Sequence, residues 1–183
     1  HCHRRRYSVC APAAPEEMLR RLIQTGYEAV YITEHDAVWP AEDLAKLQEQ
    51  FPQIRIFPGV ELSSPVAARH LLVLGTSDPA YLAMRDDAEI LRRSAEEGDL
   101  TVLAHPYRWP GGDDLLQAGL RPDAIEFRTC NVSVDQAAHA LATAEELGLP
   151  AVSAGDAHNV DMLNRFWIET TRPTETARDI RAI

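Results

Sequence analysis

The stretch AVYITEHD, residues 29–36, decides the fold. Its first five residues are apolar and β-prone, and the run stops abruptly on Glu34, His35 and Asp36. Upstream, Pro15 to Gly26 reads as a helix, opened by Pro-Glu-Glu and closed by a glycine. Downstream, Ala41 to Gln50 reads as a second helix, introduced by Pro40. A short strand set between two helices is the βα unit of a parallel sheet.

The same alternation continues along the chain. Strand-like runs occupy Ile54 to Val60, Leu71 to Leu74, Leu100 to Ala104, Ala124 to Phe127, Ala151 to Ala154 and Phe166 to Thr170. Helical patterns cover Ala80 to Glu97 and about Val134 to Leu147, and a last helix is expected after Pro173. This spacing predicts a largely parallel sheet, either closed as a barrel or open and doubly wound. In both architectures ligands bind at the carboxyl ends of the strands. The Pro- and Gly-rich loop Tyr107 to Asp114 is expected to border such a site.

Composition narrows the class. The chain has 183 residues, 45% apolar and 25% charged, as an ordinary globular protein does. One domain over residues 1–183 is expected, since domains run to roughly 150 residues. Net charge is 18 − 28 = −10, which disfavours a broad basic surface for duplex nucleic acid. No apolar run reaches the roughly 18 residues of a membrane span. Three cysteines make no disulfide scaffold, so a reducing cytoplasmic setting is expected. The chain opens on His1 rather than Met, and a short initial strand is expected to have been trimmed.

Histidine placement carries the functional reading. Of the seven histidines, His35 and His105 stand just past strand-like runs, and His158 follows AVSAGDA. His1 and His3 would follow the trimmed strand. His70 immediately precedes LLVL and fits the rule less cleanly. Glu61 follows IRIFPGV, and Asp156 lies two residues before His158. In extended chain, residues i and i+2 share a face, so His1 and His3 pair, as do Asp156 and His158. Imidazole suits Zn, Fe, Mn or Ni, and carboxylates can bridge two cations. So many ligand-type side chains exceed the need of one metal and point to a two- or three-metal site. His139, in an Ala-rich helix, reads as a surface or packing histidine.

At these residues the chain resembles the PHP (polymerase and histidinol phosphatase) family. The resemblance rests on an ordered series: HCH (1–3), ITEHD (32–36), GVELS (59–63), RHLL (69–72), AHPYR (104–108) and GDAH (155–158). It implies an α/β fold, a distorted (β/α)7 TIM-like barrel, with a metal cluster at the C-terminal ends of the strands. It implies a hydrolase of phosphoesters using two or three divalent ions (Mn, Zn or Fe). Carried over by position, His1, His3, Glu61 and Asp156 would hold one ion. Glu61, His70 and His105 would hold a second, and His35 and His158 a third. The family's remaining ligand, a His or Asp shortly after the HxH, has no counterpart here. Cys10 is the ligand-capable side chain at about that spacing, and a small buried apolar role suits it equally. Glu34 and Asp36 read either as groups orienting His35 or as solvated acids.

The expected reaction is in-line attack by a metal-bridging hydroxide on a small phosphomonoester or nucleotide. Catalysis is expected to rest on Asp156, His105 and Glu61. Arg4, Arg108 and Arg165 are the favoured cations for a phosphate substrate. The chain has no GxSxG elbow, no C-x5-R loop and no Walker P-loop, so a covalent intermediate is disfavoured. Two other readings compete: a non-catalytic PHP-like module that binds metal or a partner, and an amidohydrolase-type enzyme acting on C–N bonds.

Overall fold

The structure is a computed structural model, and it describes residues 1–3 and 14–182. Its elements run α1 (Pro15–Gln24), β1 (Ala29–His35), α2 (Ala41–Gln50), β2 (Arg55–Ser63), β3 (His70–Leu74), α3 (Asp87–Glu97), β4 (Leu100–Ala104), α4 (Asp114–Gln117), β5 (Ala124–Arg128), α5 (Val134–Leu147) and β6 (Ala151–Ser153). The six strands form one sheet in sequence order. Pairs β1·β2, β4·β5 and β5·β6 are parallel, while β3 runs antiparallel to both neighbours.

Four expectations change in the structure. The sheet is mixed rather than largely parallel, because residues 64–69 joining β2 to β3 are too few for a helical crossover. They close instead as a hairpin, with the Ser64 amide donating to the Arg69 carbonyl at 3.0 Å. The helix expected over Ala80 to Glu97 is broken. A 3-10 turn at Pro79–Ala83 precedes α3, and Asp86 then caps α3 by accepting from the Ala88 amide. Phe166 to Thr170 forms no strand, and the segment after Pro173 reaches only a 3-10 turn at Asp179–Ala182.

Strand parity sorts the side chains into two faces. Val30, Ile32, Val60, Leu62, Leu71, Val73, Leu103 and Ile125 face the helices and pack against Leu19, Leu47, Ile90, Ala140 and Ala144. On the other face, Leu72, Leu74, Val102, Ala104 and Ala124 form a smaller cluster joined by Tyr31 and Val152. Tyr31 lies on β1 and Val152 on β6, the two ends of the sheet order, so the sheet is curled with this cluster inside. At the rim of the curl the first residues of the chain link both edges. Cys2 bridges in parallel to Ala157, and the Thr33 amide donates to the Cys2 carbonyl at 3.1 Å. Among the described residues the barrel expectation holds only at the coarser level of an α/β fold with a curled six-stranded half-barrel sheet; the seven (β/α) units are not seen. No described helix is long and apolar enough to cross a membrane.

Candidate metal centre

On three strands the inward parity ends on a polar residue at the same rim. On β1 the inward series is Tyr31, Thr33, His35; on β2 it is Gly59, Glu61; on β5 it is Ala124, Glu126. Residues His35 and Glu61 are register partners. His70 is the first residue of β3, not the last. Because β3 is reversed, its start lies beside Ser63 and Ala104, at the carboxyl ends of β2 and β4. This explains why His70 precedes its apolar run while the other histidines follow theirs. Just beyond the strand ends, Asp36, His105 and Asp156 have φ of 48°, 31° and 44°. Left-handed backbone at non-glycine residues is strained, and here it turns side chains into the rim.

Eight expected ligands converge. His1 Nε2 lies 2.9 Å from Glu61 Oε2, 3.0 Å from His3 Nε2 and 3.6 Å from Asp156 Oδ1. His3 Nε2 lies 2.9 Å from Glu61 Oε2. These four residues offer ligand atoms within 4.8 Å of one another, the first group expected. His35, Glu61 and His70 form a second such group, with His70 Nδ1 at 2.7 Å from Glu61 Oε1. His105 joins it through Glu61 Oε1, at 3.3 Å. His35 and His158 converge as expected, and His3 completes their group. Its ring stacks on theirs at 4.3 and 4.4 Å. Glu61, fully buried, touches all three arms of the cluster.

The electrostatics follow from that crowding. Burial works against charge on His1 and His3. The carboxylates of Glu61 and Asp156 outweigh it for both, with Glu126 adding to the effect on His1, and hold both pKa values above the ordinary range. Burial would likewise raise Glu61 and Asp156, but the surrounding histidines hold both below the usual carboxylate range. Burial takes His35 down to about 4 and lowers His158, so these rings keep free lone pairs at neutral pH. The cluster therefore demands positive charge at its middle. Divalent ions would meet that demand, and the buried imidazole and carboxylate donors fit Mn, Zn or Fe.

Around the ligands stand groups of different fates. Arg108 Nη1 lies 3.3 Å from Asp156 Oδ2, and its guanidinium covers the Trp109 ring at 4.2 Å. Trp109 in turn packs against His70 and His105, at 5.5 and 5.6 Å between ring centres. The loop Tyr107 to Asp114 thus borders the site as expected. Arg165 does not join it: exposed, it donates to the Asp161 carbonyl. Arg4 and Cys10 lie outside the described residues. Glu34 is buried and accepts from Trp39 Nε1 at 3.2 Å. Asp36 accepts from the Ser63 amide at 2.9 Å, tying the ends of β1 and β2. His139 is exposed and stacks on Tyr107 at 3.7 Å, a packing role.

Two residues escaped the sequence reading. Asn131 Nδ2 donates to both the carbonyl and Oδ2 of Asp156, at 2.9 and 2.6 Å. Glu126 Oε1 sits 3.0 Å from His1 Nδ1, with Glu126 fully buried. A carboxylate inside the apolar run AIEF was the available signal for Glu126. Asn131, in a loop, gave none.

Part of the sequence and the fold are similar to known proteins. A family model described as PHP-associated matches residues 137–182. No curated protein matches the sequence. Among solved structures, an amidohydrolase from Chromobacterium violaceum, with bound sulfate and no metal, is 18% identical with a TM-score of 0.61; 87% of this chain and 86% of that one are covered. A protein from Bifidobacterium adolescentis assigned as a metal-dependent phosphoesterase is 14% identical with a TM-score of 0.66, covering 100% and 92%. A two-domain protein from Bacteroides vulgatus, containing a predicted PHP-like metal-dependent phosphoesterase, is 21% identical with a TM-score of 0.63. The match covers 88% of this chain and 51% of that one.

Proposed function

We propose that this PHP-like chain is a metal-dependent hydrolase that cleaves a small phosphomonoester or nucleotide. The observation that carries the reading is one rim gathering eight ligand-type side chains beside the partly exposed guanidinium of Arg108. His1, His3, Glu61 and Asp156 would hold one ion, and Glu61, His70 and His105, with His35 at their edge, a second. His35, His158 and His3 would hold a third. Bound divalent ions would supply Lewis-acid activation of water and neutralise charge on the phosphoryl group.

The chain's own residues do the rest. Glu61 lies between the two halves of the cluster and fixes their spacing. Asn131 and Arg108 hold the Asp156 carboxylate in one orientation. Arg108, steadied by the Trp109 ring, presents a cation where an anionic substrate would meet the rim. On a chain of net charge −10 this is a local attraction for a small anion.

An amidohydrolase reading has support from the Chromobacterium structure. Against it, a carboxylated lysine bridge is not available: the only lysine, Lys46, is exposed on α2 beside Asp43. A panel of phosphate esters and amides, assayed with Mn, Zn and Fe, separates the readings. Phosphomonoester hydrolysis that falls at least about 100-fold in Asp156→Asn, with folding retained, is expected. Turnover of amides alone would establish the C–N hydrolase instead. A metal-loaded protein that turns over neither would be the non-catalytic module.

A further inference from the structure

We propose that Glu126 is a positioning residue of the centre: it fixes the tautomer and rotation of the His1 imidazole so that Nε2 faces Glu61, His3 and Asp156. The inference rests on the metal-hydrolase reading above and adds a residue outside that ligand set. Parity on β5 turns Glu126 inward, on the face of Ala124, while Ile125 packs against the helices. It is fully buried, and its partner is His1 Nδ1 at 3.0 Å. Its other oxygen, Oε2, has no hydrogen-bond partner among the described residues.

That orphan oxygen argues against a purely structural role. A carboxylate buried with half its acceptor capacity unmet carries a desolvation cost that an apolar residue on the same strand would avoid. What the carboxylate does supply is specific. It can only accept, so the hydrogen bond puts the proton on Nδ1. When a cation replaces the Nε2 proton, the Nε2 lone pair is left toward three groups that also bring lone pairs to it: Glu61 Oε2, His3 Nε2 and Asp156 Oδ1. A carboxylate behind a ligating imidazole fixes its orientation and raises its basicity. The backbone bonds to Thr33 and Ala157 are made by Cys2 and His3, and the contact from Glu126 is the one that orients the His1 ring from behind.

The test is metal stoichiometry and affinity in wild type, Glu126→Ala and Glu126→Gln, titrated with zinc and with manganese after chelation. Wild type is expected to take up two or three equivalents. Glu126→Ala is expected to bind one equivalent about 10–100-fold more weakly and keep the others. Glu126→Gln keeps an acceptor for Nδ1 and is expected to fall between the two. Both variants are expected to melt cooperatively without metal, with the weakening confined to one equivalent, whereas a purely structural role would lower the metal-free midpoint and leave the affinity of the folded protein for each equivalent unchanged. Affinities unchanged in both variants would overturn the proposal, and so would equal weakening of every equivalent. A folded wild type that binds no zinc or manganese would overturn the metal reading itself, and this inference with it. Should Glu126→Ala fail to fold, Glu126→Gln alone decides by the same criterion.

Discussion

Asp156 shows how single residues build the centre. Its backbone is held at φ 44°, its carboxylate is gripped by Asn131 and Arg108, and it faces His1, His3 and His105. Replacing Asn131 with Ala removes two hydrogen bonds, one of them to a charged acceptor. This is expected to cost about 1.5–3 kcal/mol of stability and to lower kcat about tenfold, read by thermal denaturation and steady-state kinetics. Arg108→Ala is expected to act differently. Its guanidinium is partly exposed, so the fold should hold while KM for a phosphoester rises about 10-fold or more; an unchanged KM would remove Arg108 from substrate binding. At this scale the sequence was informative where chemistry is local. His and Asp two residues apart, or a His ending an apolar run, declare themselves. Asn131 could not, because its role is set by a contact with a residue 25 positions away.

At the scale of elements, strand parity converts an apolar sheet into a site. Inward positions are apolar low in the curl, and β1, β2 and β3 each carry a ligand-type side chain at its rim, so the same strands pack the core and build the cluster. Leu103 on β4 faces the helices with no exposure, and Leu103→Ala is expected to destabilise by about 2–5 kcal/mol in denaturant unfolding. Gly112 illustrates how a loop is shaped to the site. A Cβ there would stand 2.3 Å from the Pro106 carbonyl oxygen, too close for any side chain. Gly112→Ala is therefore expected to push the Tyr107–Asp114 loop outward, moving Arg108 and Trp109 and raising KM with little change in metal content. Most strands and helices were legible from apolar runs, helix openers and terminal glycines. The reversal of β3 was not. It depends on a hairpin of residues 64–69 that carries no strong turn signature, only a length too short for a crossover. Trp167 and Ile168 were read as strand from β-prone composition, yet both are about half exposed and pair with no neighbour strand.

Across the whole molecule, charge balance links stability to the centre. In the metal-free protein Glu61 and Asp156 have folded pKa values below their ordinary 4.5 and 3.8. Their contribution is present above that range and is lost as pH falls through the lowered values. His1 and His3 have folded pKa values above 6.5, so their contribution is full below 6.5 and is lost as pH rises through the raised values. His35 and His158, with folded values below 6.5, contribute in the opposite sense: their share is present above 6.5 and is lost as pH falls. The metal-free protein is therefore expected to melt highest near pH 6.5 and lower on either side, whereas the metal-loaded protein should gain stability as pH rises through 6.5, because ligation requires deprotonated imidazoles. The far end of the sheet is tied separately. Arg178 reaches the fully buried Asp99 at 3.3 Å, and Tyr31 donates to the Ala177 carbonyl, so the C-terminal segment straps across the starts of the strands.

Whether the clustered histidines and carboxylates hold metal ions is read out by plasma mass spectrometry of the natively purified protein. Two or three equivalents of Mn, Fe or Zn per chain are predicted, falling in Asp156→Asn and Glu61→Gln. A folded protein that carries no metal, and takes up none from added Mn or Zn, would contradict the account.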